Sequence, residues 1–411
     1  MGMESDRAGA TIAEMPGVLA ENCPGSTAFV AAGGESGGED VTFADLAEQV
    51  RALAAGITDA GLSPGDSILA WTDPSLDYLR LVLAASQAGL AVIPVDADRA
   101  APAVGRLAER LRVAAMYLGG DRQLPENVTS PVLRLTIGDT PGLPDTTVRQ
   151  LGGAAGAPLV PPANLARAPL LIVPDEGDRA AVLTQRAAKS GCRLNAIAFR
   201  LPLRGALIWP GYPGGLAEFT TAALAHLHVA ASIEIAEPAA YAKSLAASPP
   251  GGFAYAHAGA LRGGIADALR DAAELGTIYL PVTAAGSAHA LREHAASLTT
   301  GAAREDRVLL RGWNPAEHGL ALVAGWRGDA DLPAHEAGLA AVGQFMPDVE
   351  ARLAGGPGSR ATLELRSPAL MAGYADTGPA ISAGDYFDTN RAAAVTAGGL
   401  LHVELGQENT P

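Results

Sequence analysis

Cysteine, aromatic residues, positive charge and long apolar runs are all scarce in this sequence. The two cysteines, Cys23 and Cys192, make neither a disulfide framework nor a zinc-ligand spacing. A reducing cytoplasm is the expected compartment. Lys and Arg number 29 against 44 Asp and Glu, for a net charge of −15. A surface for nucleic acid or for anionic lipid needs the opposite sign, and neither is expected as a partner. No run of about eighteen apolar residues occurs, which excludes a long membrane-spanning helix. Residues 1–17 carry acidic side chains and lack the apolar centre of a signal peptide. Aromatics make up 5% of the chain. Alanine and glycine are abundant, so alanine-rich runs alone are not read as helix. What is present suffices for a large core. The chain has 411 residues, of which 48% are hydrophobic and 18% charged. Those proportions describe a folded protein of two or three packed units.

The first 120 residues alternate between helix and strand patterns. Phe43, Leu46, Val50, Leu53 and Ile57 recur at spacings of three and four, which predicts a helix over 42–57. Thr42 suits its N-cap, Asp45 follows three residues on, and Gly61 suits its end. Strands are expected at 67–71, 90–95 and 113–118. Helices are expected from Asp73-Pro74 to Gly89 and over 101–111. The segment 121–166 is Pro/Gly-rich and reads as loop with a few strands. Further strands are expected at 169–173, 206–209, 229–235, 252–255, 276–282 and 307–311, with helices over 259–273 and 287–298. Beyond residue 318 the pattern changes to short strands at 320–324, 349–353, 362–366 and 400–405. The fold expected is α/β: two α/β subdomains with mostly parallel sheets flanked by helices, plus a small β-barrel-like subdomain. The boundaries expected are 1–165, 166–317 and 318–411.

Several segments, taken in order, resemble those of the adenylate-forming enzymes, the superfamily of acyl-CoA synthetases and adenylation domains. They are Val41-Thr42-Phe43-Ala44-Asp45-Leu46, the run Ala88 to Asp96, Val342 to Glu350, and Leu363 to Tyr374. The last is similar to the family's Gly-Glu-Leu-x-x-x-Ser-Pro-x-x-x-x-Gly-Tyr. The resemblance implies the large N-terminal domain of that superfamily, and the mobile C-terminal domain is expected to be absent. It also implies a reaction in which ATP and a carboxylate give an acyl-adenylate that a thiol then attacks.

The elements for that chemistry depart from the family pattern. The family places a loop of the type Thr-Ser-Gly-Thr-Thr-Gly-x-Pro-Lys-Gly after a strand. Here Asp175-Glu176-Gly177-Asp178-Arg179 stands in its place, followed by Val182-Leu183-Thr184, with Gln185 where His is usual. One glycine and three carboxylates make a poor cradle for a triphosphate. Arg179 falls near the family's loop lysine. It reads either as a residual phosphate contact or as a solvated loop arginine. Trp313-Asn314-Pro315-Ala316-Glu317 lies where the family has Tyr-Gly-x-Thr-Glu, so Trp313 matches the adenine-stacking position and Glu317 the Mg²⁺ position. Thr389 is retained from a Thr-Gly-Asp segment, but Arg391 stands at the Asp position. An arginine cannot accept hydrogen bonds from ribose hydroxyls. Gly406-Gln407 replaces the common hinge Gly-Arg. The positions Arg179, Thr184, Glu317, Thr389 and Arg391 therefore read as vestiges of a nucleotide site. No metal and no cofactor are expected.

The resemblance leaves an acyl pocket as the retained feature. It maps to Trp209, Tyr212 and Gly214, to Thr283, Ala284 and Gly286, and to Trp313 beside them. Gly and Ala there leave room for a ligand, and aromatic rings can wall it. The plainer alternative is loop glycines and core aromatics. His226 and His228 would share a face on a strand but lack a third metal ligand. Ser287 and His289 lack the elbow motif of a hydrolase. Cys192 reads as a buried small hydrophobe on a helix. The function expected is a degenerate ligase-like protein that binds an acyl or aryl group, carrier-tethered or free, or a partner protein, with or without an ATP-independent acyl transfer or cyclisation. The alternatives are a genuine ligase completed by a C-terminal domain in trans, and a structural subunit of an active ligase. Homo- and hetero-oligomers both fit.

Overall fold

A computed structural model describes residues 10–30, 40–137, 148–151, 162, 164–174, 179–210, 215–236, 240–256, 265–281, 298, 307–319, 322–327, 339–355, 361–376, 381 and 384–405. The chain opens with helix α1 (Met15–Asn22), strands β1 (Thr27–Val30) and β2 (Val41–Thr42), and helix α2 (Phe43–Asp59). There follow β3 (Ser67–Thr72), α3 (Leu76–Ala88), β4 (Ala91–Asp96), α4 (Ala101–Leu111), β5 (Ala115–Leu118), β6 (Leu133–Ile137) and β7 (Val148–Leu151). Then come β8 (Pro169–Pro174), β9 (Ala180–Thr184), α5 (Gln185–Ala198), β10 (Ala206–Pro210), α6 (Leu216–His228), β11 (Ser232–Ala236), α7 (Tyr241–Ala246) and β12 (Gly252–Tyr255). The remaining elements are α8 (Ala266–Asp271), β13 (Leu275–Pro281), β14 (Val308–Trp313), β15 (Ala324–Arg327), β16 (Ala340–Phe345), β17 (Glu350–Ala354), β18 (Thr362–Arg366), β19 (Phe387–Val395) and β20 (Leu400–Val403).

The sequence signals explain the early elements. Thr42 accepts from the Asp45 amide, and the Asp45 carboxylate accepts from Thr42, a complete capping box. The α2 stripe Phe43, Leu46, Val50 and Ile57 is fully buried. One sheet has the order β7-β6-β5-β3-β4-β8-β9, parallel except for the β8–β9 pair. The second has the order β17-β18-β19-β20-β16-β15-β14-β13-β12-β10-β11-β1-β2. Its centre, from β11 to β14, is parallel. Strands β15 to β20 extend it with antiparallel pairs.

Alternation along each buried strand sorts side chains into layers. Ile68 and Ala70 of β3 face a helical layer that includes α2, α3 and α6, whereas Leu69 and Trp71 face α4. In the second sheet Leu207, Trp209, Phe253, Tyr255 and Tyr279 face the same central layer. Ile208, Ala254, Ile278 and Leu280 face α7 and α8. The result is an α-β-α-β-α stack. A 2.6 Å hydrogen bond between Tyr78 Oη and Thr220 Oγ1 ties α3 to α6 within the central layer.

Some expectations are corrected. Pro74 lies outside α3, because Ser75 caps that helix by accepting from the Tyr78 amide. The strand expected from Val229 starts at Ser232, and α6 runs on through His228. His226 and His228 therefore sit two apart on a helix and point apart. His226 is buried and bonds back to the Ala222 carbonyl. The strand expected at 320–324 begins at Ala324. The reading of Cys192 stands: it is buried on α5, and burial pushes its thiol up to about 12. The helix expected over 287–298 lies outside the described residues, apart from Leu298.

Candidate functional site

The carboxyl ends of β10, β12, β13 and β14 form one rim. In open α/β sheets ligands bind in the crevice beyond such ends. Because alternation puts Trp209, Tyr255 and Tyr279 on one face, three neighbouring strands build a continuous aromatic wall. The Trp209 and Tyr255 rings are 4.3 Å apart, and those of Tyr255 and Tyr279 are 5.3 Å apart. Tyr279 Oη donates to Asn314 Oδ1 at 3.1 Å, which fixes the residue just beyond β14. The Tyr255 hydroxyl is buried and also interacts with the Asn314 side chain.

Helix α6 enters beside this wall. Gly215 before it has φ +73°, a left-handed conformation that glycine adopts without strain. The Leu216 amide donates to Asp96 Oδ1 at 2.8 Å. An acid from the end of β4 in the first sheet thus holds the N-terminus of a helix in the central layer, where negative charge is favoured. Glu218 sits in the first turn of α6. A Cβ built on Gly215 would lie 3.7 Å from Glu218 Oε2 and 3.7 Å from Trp209 Cζ2. The carboxylate therefore folds back over Gly215 to the indole edge. Glu218 as a residue is half-buried, but its carboxylate is surrounded by protein. Burial, with Asp96 adding to it, pushes this carboxyl up to about 7. Burial also raises Asp96, and the Leu216 amide partly opposes the rise. The Tyr255 phenol is pushed well above its ordinary range, first by burial and then by Glu218.

The positions that the sequence resemblance matched to nucleotide contacts fall in several separate places. Trp313 ends β14 with its ring in the layer facing α7 and α8, opposite to Trp209. The Arg391 guanidinium lies 5.9 Å from the Trp313 ring centroid, and Arg391 Nη1 donates to the Glu404 carbonyl at 3.3 Å. Glu317 lies in a short 3-10 turn and is 4% exposed. Its Oε1 accepts from Arg179 Nη2 at 3.3 Å and from Tyr374 Oη at 3.2 Å. The Arg179 guanidinium also lies 4.6 Å above the Tyr374 ring. Thr184 caps α5 by accepting from the Ala187 amide. Thr389 donates to the Leu363 carbonyl at 2.8 Å. Gln185 is wholly buried: it accepts from the Ala13 amide at 3.1 Å and donates to the Ser86 carbonyl at 2.7 Å.

Arg179 and Glu317 are thus brought together, as are Trp313 and Arg391, while Trp209 and Trp313 are kept on opposite faces of the sheet. Residues 175–178, Tyr212, Gly214, Thr283, Ala284 and Gly286 lie outside the described residues. Among the described residues no group of three His, Cys, Asp or Glu side chains is arranged to hold a metal ion. Asp96, Glu218, Tyr255, Tyr279 and Tyr374 were not singled out from the sequence as site residues. Glu218 did carry a signal, being the one charge in the apolar run 216–225.

The α/β architecture thus buries an aromatic wall of Trp209, Tyr255 and Tyr279 near the carboxyl ends of its central parallel strands. Residues 18–165 match the AMP-binding enzyme family model, and the resemblance read from the motifs is borne out. Two curated relatives are each 30% identical. One is an L-proline–[L-prolyl-carrier protein] ligase of Streptomyces coelicolor, aligned over 129 residues. The other is a salicylyl-CoA synthase / salicylate adenylyltransferase of a Streptomyces species, aligned over 153 residues. These alignments cover 30% and 35% of this chain but only 23% and 27% of the relatives. A structure described as a long-chain-fatty-acid CoA ligase from Rhodopseudomonas palustris superposes with TM-score 0.77 at 18% identity, covering 96% of this chain and 99% of that one. A structure described as the N-terminal domain of FACL13 from Mycobacterium tuberculosis gives TM-score 0.72 at 15% identity, covering 96% of this chain and 99% of that one. The fold is that of the N-terminal domain of acyl-CoA ligases.

Proposed function

We propose that this chain binds an acyl or aryl acid, free or carrier-tethered, in the crevice walled by Trp209, Tyr255 and Tyr279, and that it does not use ATP in the manner of the superfamily. The observation that carries the reading is Arg391. It stands where the family has a ribose-binding Asp, and its guanidinium lies over the ring of Trp313, the residue at the adenine position, 5.9 Å from the centroid. Glu317 supports it, since its carboxylate is engaged by Arg179 and Tyr374 rather than left to a metal ion. The roles then open to the chain are ATP-independent acyl transfer or cyclisation, or service as a binding or structural subunit in biosynthesis. The division 1–165, 166–317 and 318–411 and a cytoplasmic setting belong to the same proposal.

A second reading is an ATP-dependent ligase completed by a domain supplied in trans. It is favoured by the printed activities of the curated relatives, a ligase and an adenylyltransferase. Melting with and without Mg-ATP, followed by pyrophosphate exchange across a panel of carboxylic acids, separates the two. A ligand at a hundred times its dissociation constant stabilises the native state by about 2.7 kcal/mol. Stabilisation by Mg-ATP together with exchange rejects the first reading. A response to acids or acyl thioesters but not to ATP supports it.

A further inference from the structure

We propose that the open face of α5 and the turn after it form a docking strip for an acidic helix of another protein. Ile197 and Leu203 are its apolar anchors, and Arg186, Arg200 and Arg204 its cationic contacts. The inference is independent of what the crevice holds and of whether ATP binds.

The first ground is exposure. Arg186, Ser190, Arg193 and Ile197 follow one another on α5 at spacings of three and four, so they share one side of the helix. Arg186, Arg193 and Ile197 are exposed and Ser190 is half-buried, whereas Cys192, Leu194 and Asn195 are buried. From Arg186 to Ile197 this side runs about 17 Å, three turns of helix. The strip continues past the end of α5. The Arg200 amide donates to the Ile197 carbonyl at 3.1 Å, and the Gly205 amide donates to the Pro202 carbonyl at 3.2 Å, which sets Leu203 and Arg204 at the corner of a turn. Among the described residues Leu203 and Ile197, at 55% and 49%, are the most exposed of the large apolar side chains.

The second ground is charge. The chain carries −15 overall, yet four arginines gather here. Arg193 pairs with Asp348 at 2.9 Å. Among the described residues no acid forms an ion pair with Arg186, Arg200 or Arg204. Lys189 and Arg193 also bear on His228 of α6, so the positive field spreads beyond α5. A short acidic helix complements such a local field. A long polyanion or an anionic membrane also meets the negative charge of the rest of the chain.

The third ground is the backbone. Arg200 has φ +51° and Arg204 φ +58°. Both positions, the residue after a helix and the third residue of a turn, favour glycine. Glycine is plentiful in this chain, at 49 residues against 29 Lys and Arg. Keeping an arginine at each place costs stability and holds two guanidinium groups at the surface, as strain retained for binding does.

Fluorescence anisotropy of the full chain with a labelled model helix tests the proposal. The probe is a peptide of about eighteen residues, long enough to hold a helix, with glutamates around two central leucines on one face. Controls carry lysine for glutamate, or alanine for leucine. The glutamate–leucine peptide is expected to bind, and each control to bind at least about tenfold more weakly. Arg200→Gly and Arg204→Gly are each expected to weaken binding about threefold to tenfold. Both variants should melt no lower than the parent, because glycine relieves the left-handed backbone. That separates lost charge from lost fold; were either to melt lower, Arg200→Asn or Arg204→Asn, which also tolerate that conformation, take its place. Ile197→Ser and Leu203→Ser should weaken binding too. The proposal is overturned if the peptide does not bind, if the lysine control binds as well, or if the arginine variants bind unchanged. It is equally overturned if vesicles of phosphatidylglycerol bind as tightly as the peptide and respond to the same variants, which makes the strip a lipid contact.

Discussion

Replacing Glu218 by Gln should stabilise the free protein at high pH and leave it nearly unchanged at low pH. The carboxyl rises from an ordinary 4.5 to about 7 in the fold, so the native state binds this proton more tightly than the unfolded chain does. Stability is therefore highest below the unfolded value and falls as pH climbs from about 4.5 to about 7, the reverse of the usual salt-bridged carboxylate. The interval is worth about 3 kcal/mol, and the partial exposure of Glu218 makes that an upper figure. For a chain of 411 residues it corresponds to a rise of roughly 4 °C in melting temperature at pH 8. Glutamine keeps the shape, removes the charge and relieves Asp96 of a like neighbour. Melting curves of both proteins from pH 5 to pH 8 read the difference directly. A difference that is flat with pH, or a variant less stable at pH 8, refutes the argument that the carboxylate is held desolvated and unpaired.

Three further outcomes follow from packing. Thr220→Val should cost about 2–3 kcal/mol and Tyr78→Phe only about 1 kcal/mol by urea unfolding, because Thr220 keeps its bond to the Leu216 carbonyl when the phenol is removed, whereas the Tyr78 hydroxyl is stranded when the threonine is. Gln185→Leu should cost about 2–3 kcal/mol, leaving the Ala13 amide without its acceptor. Faster proteolysis near the N-terminal helix would report the loss. Gly343→Ala should abolish soluble expression or cost about 3 kcal/mol or more: the residue has φ +125°, and a Cβ would lie 2.1 Å from the Gly325 carbonyl carbon in the facing strand.

Local order was readable from the chain, and convergence was not. The capping box at Thr42–Asp45, the buried alternation of 67–72 and the glycine ends of α2 and α3 are written in neighbouring residues, so periodicity and cap chemistry find them. Motif order singled out Trp209 and Trp313, which lie near the carboxyl ends of β10 and β14. It could not separate them. The face a strand residue takes depends on the pleat, and one phase of alternation sets Trp209 inward and Trp313 outward. The same limit hid a second grouping of side chains. Asp96, Glu218, Tyr255 and Tyr279 come from a strand of one sheet, a central helix and two strands of the other, with no spacing rule connecting them. Read in order, Arg391 is only a departure from an Asp. In the fold its guanidinium lies 5.9 Å from the centroid of the Trp313 ring. Arg179 engages Glu317 and Arg391 lies over Trp313, whereas among the described residues Glu218 forms no ion pair.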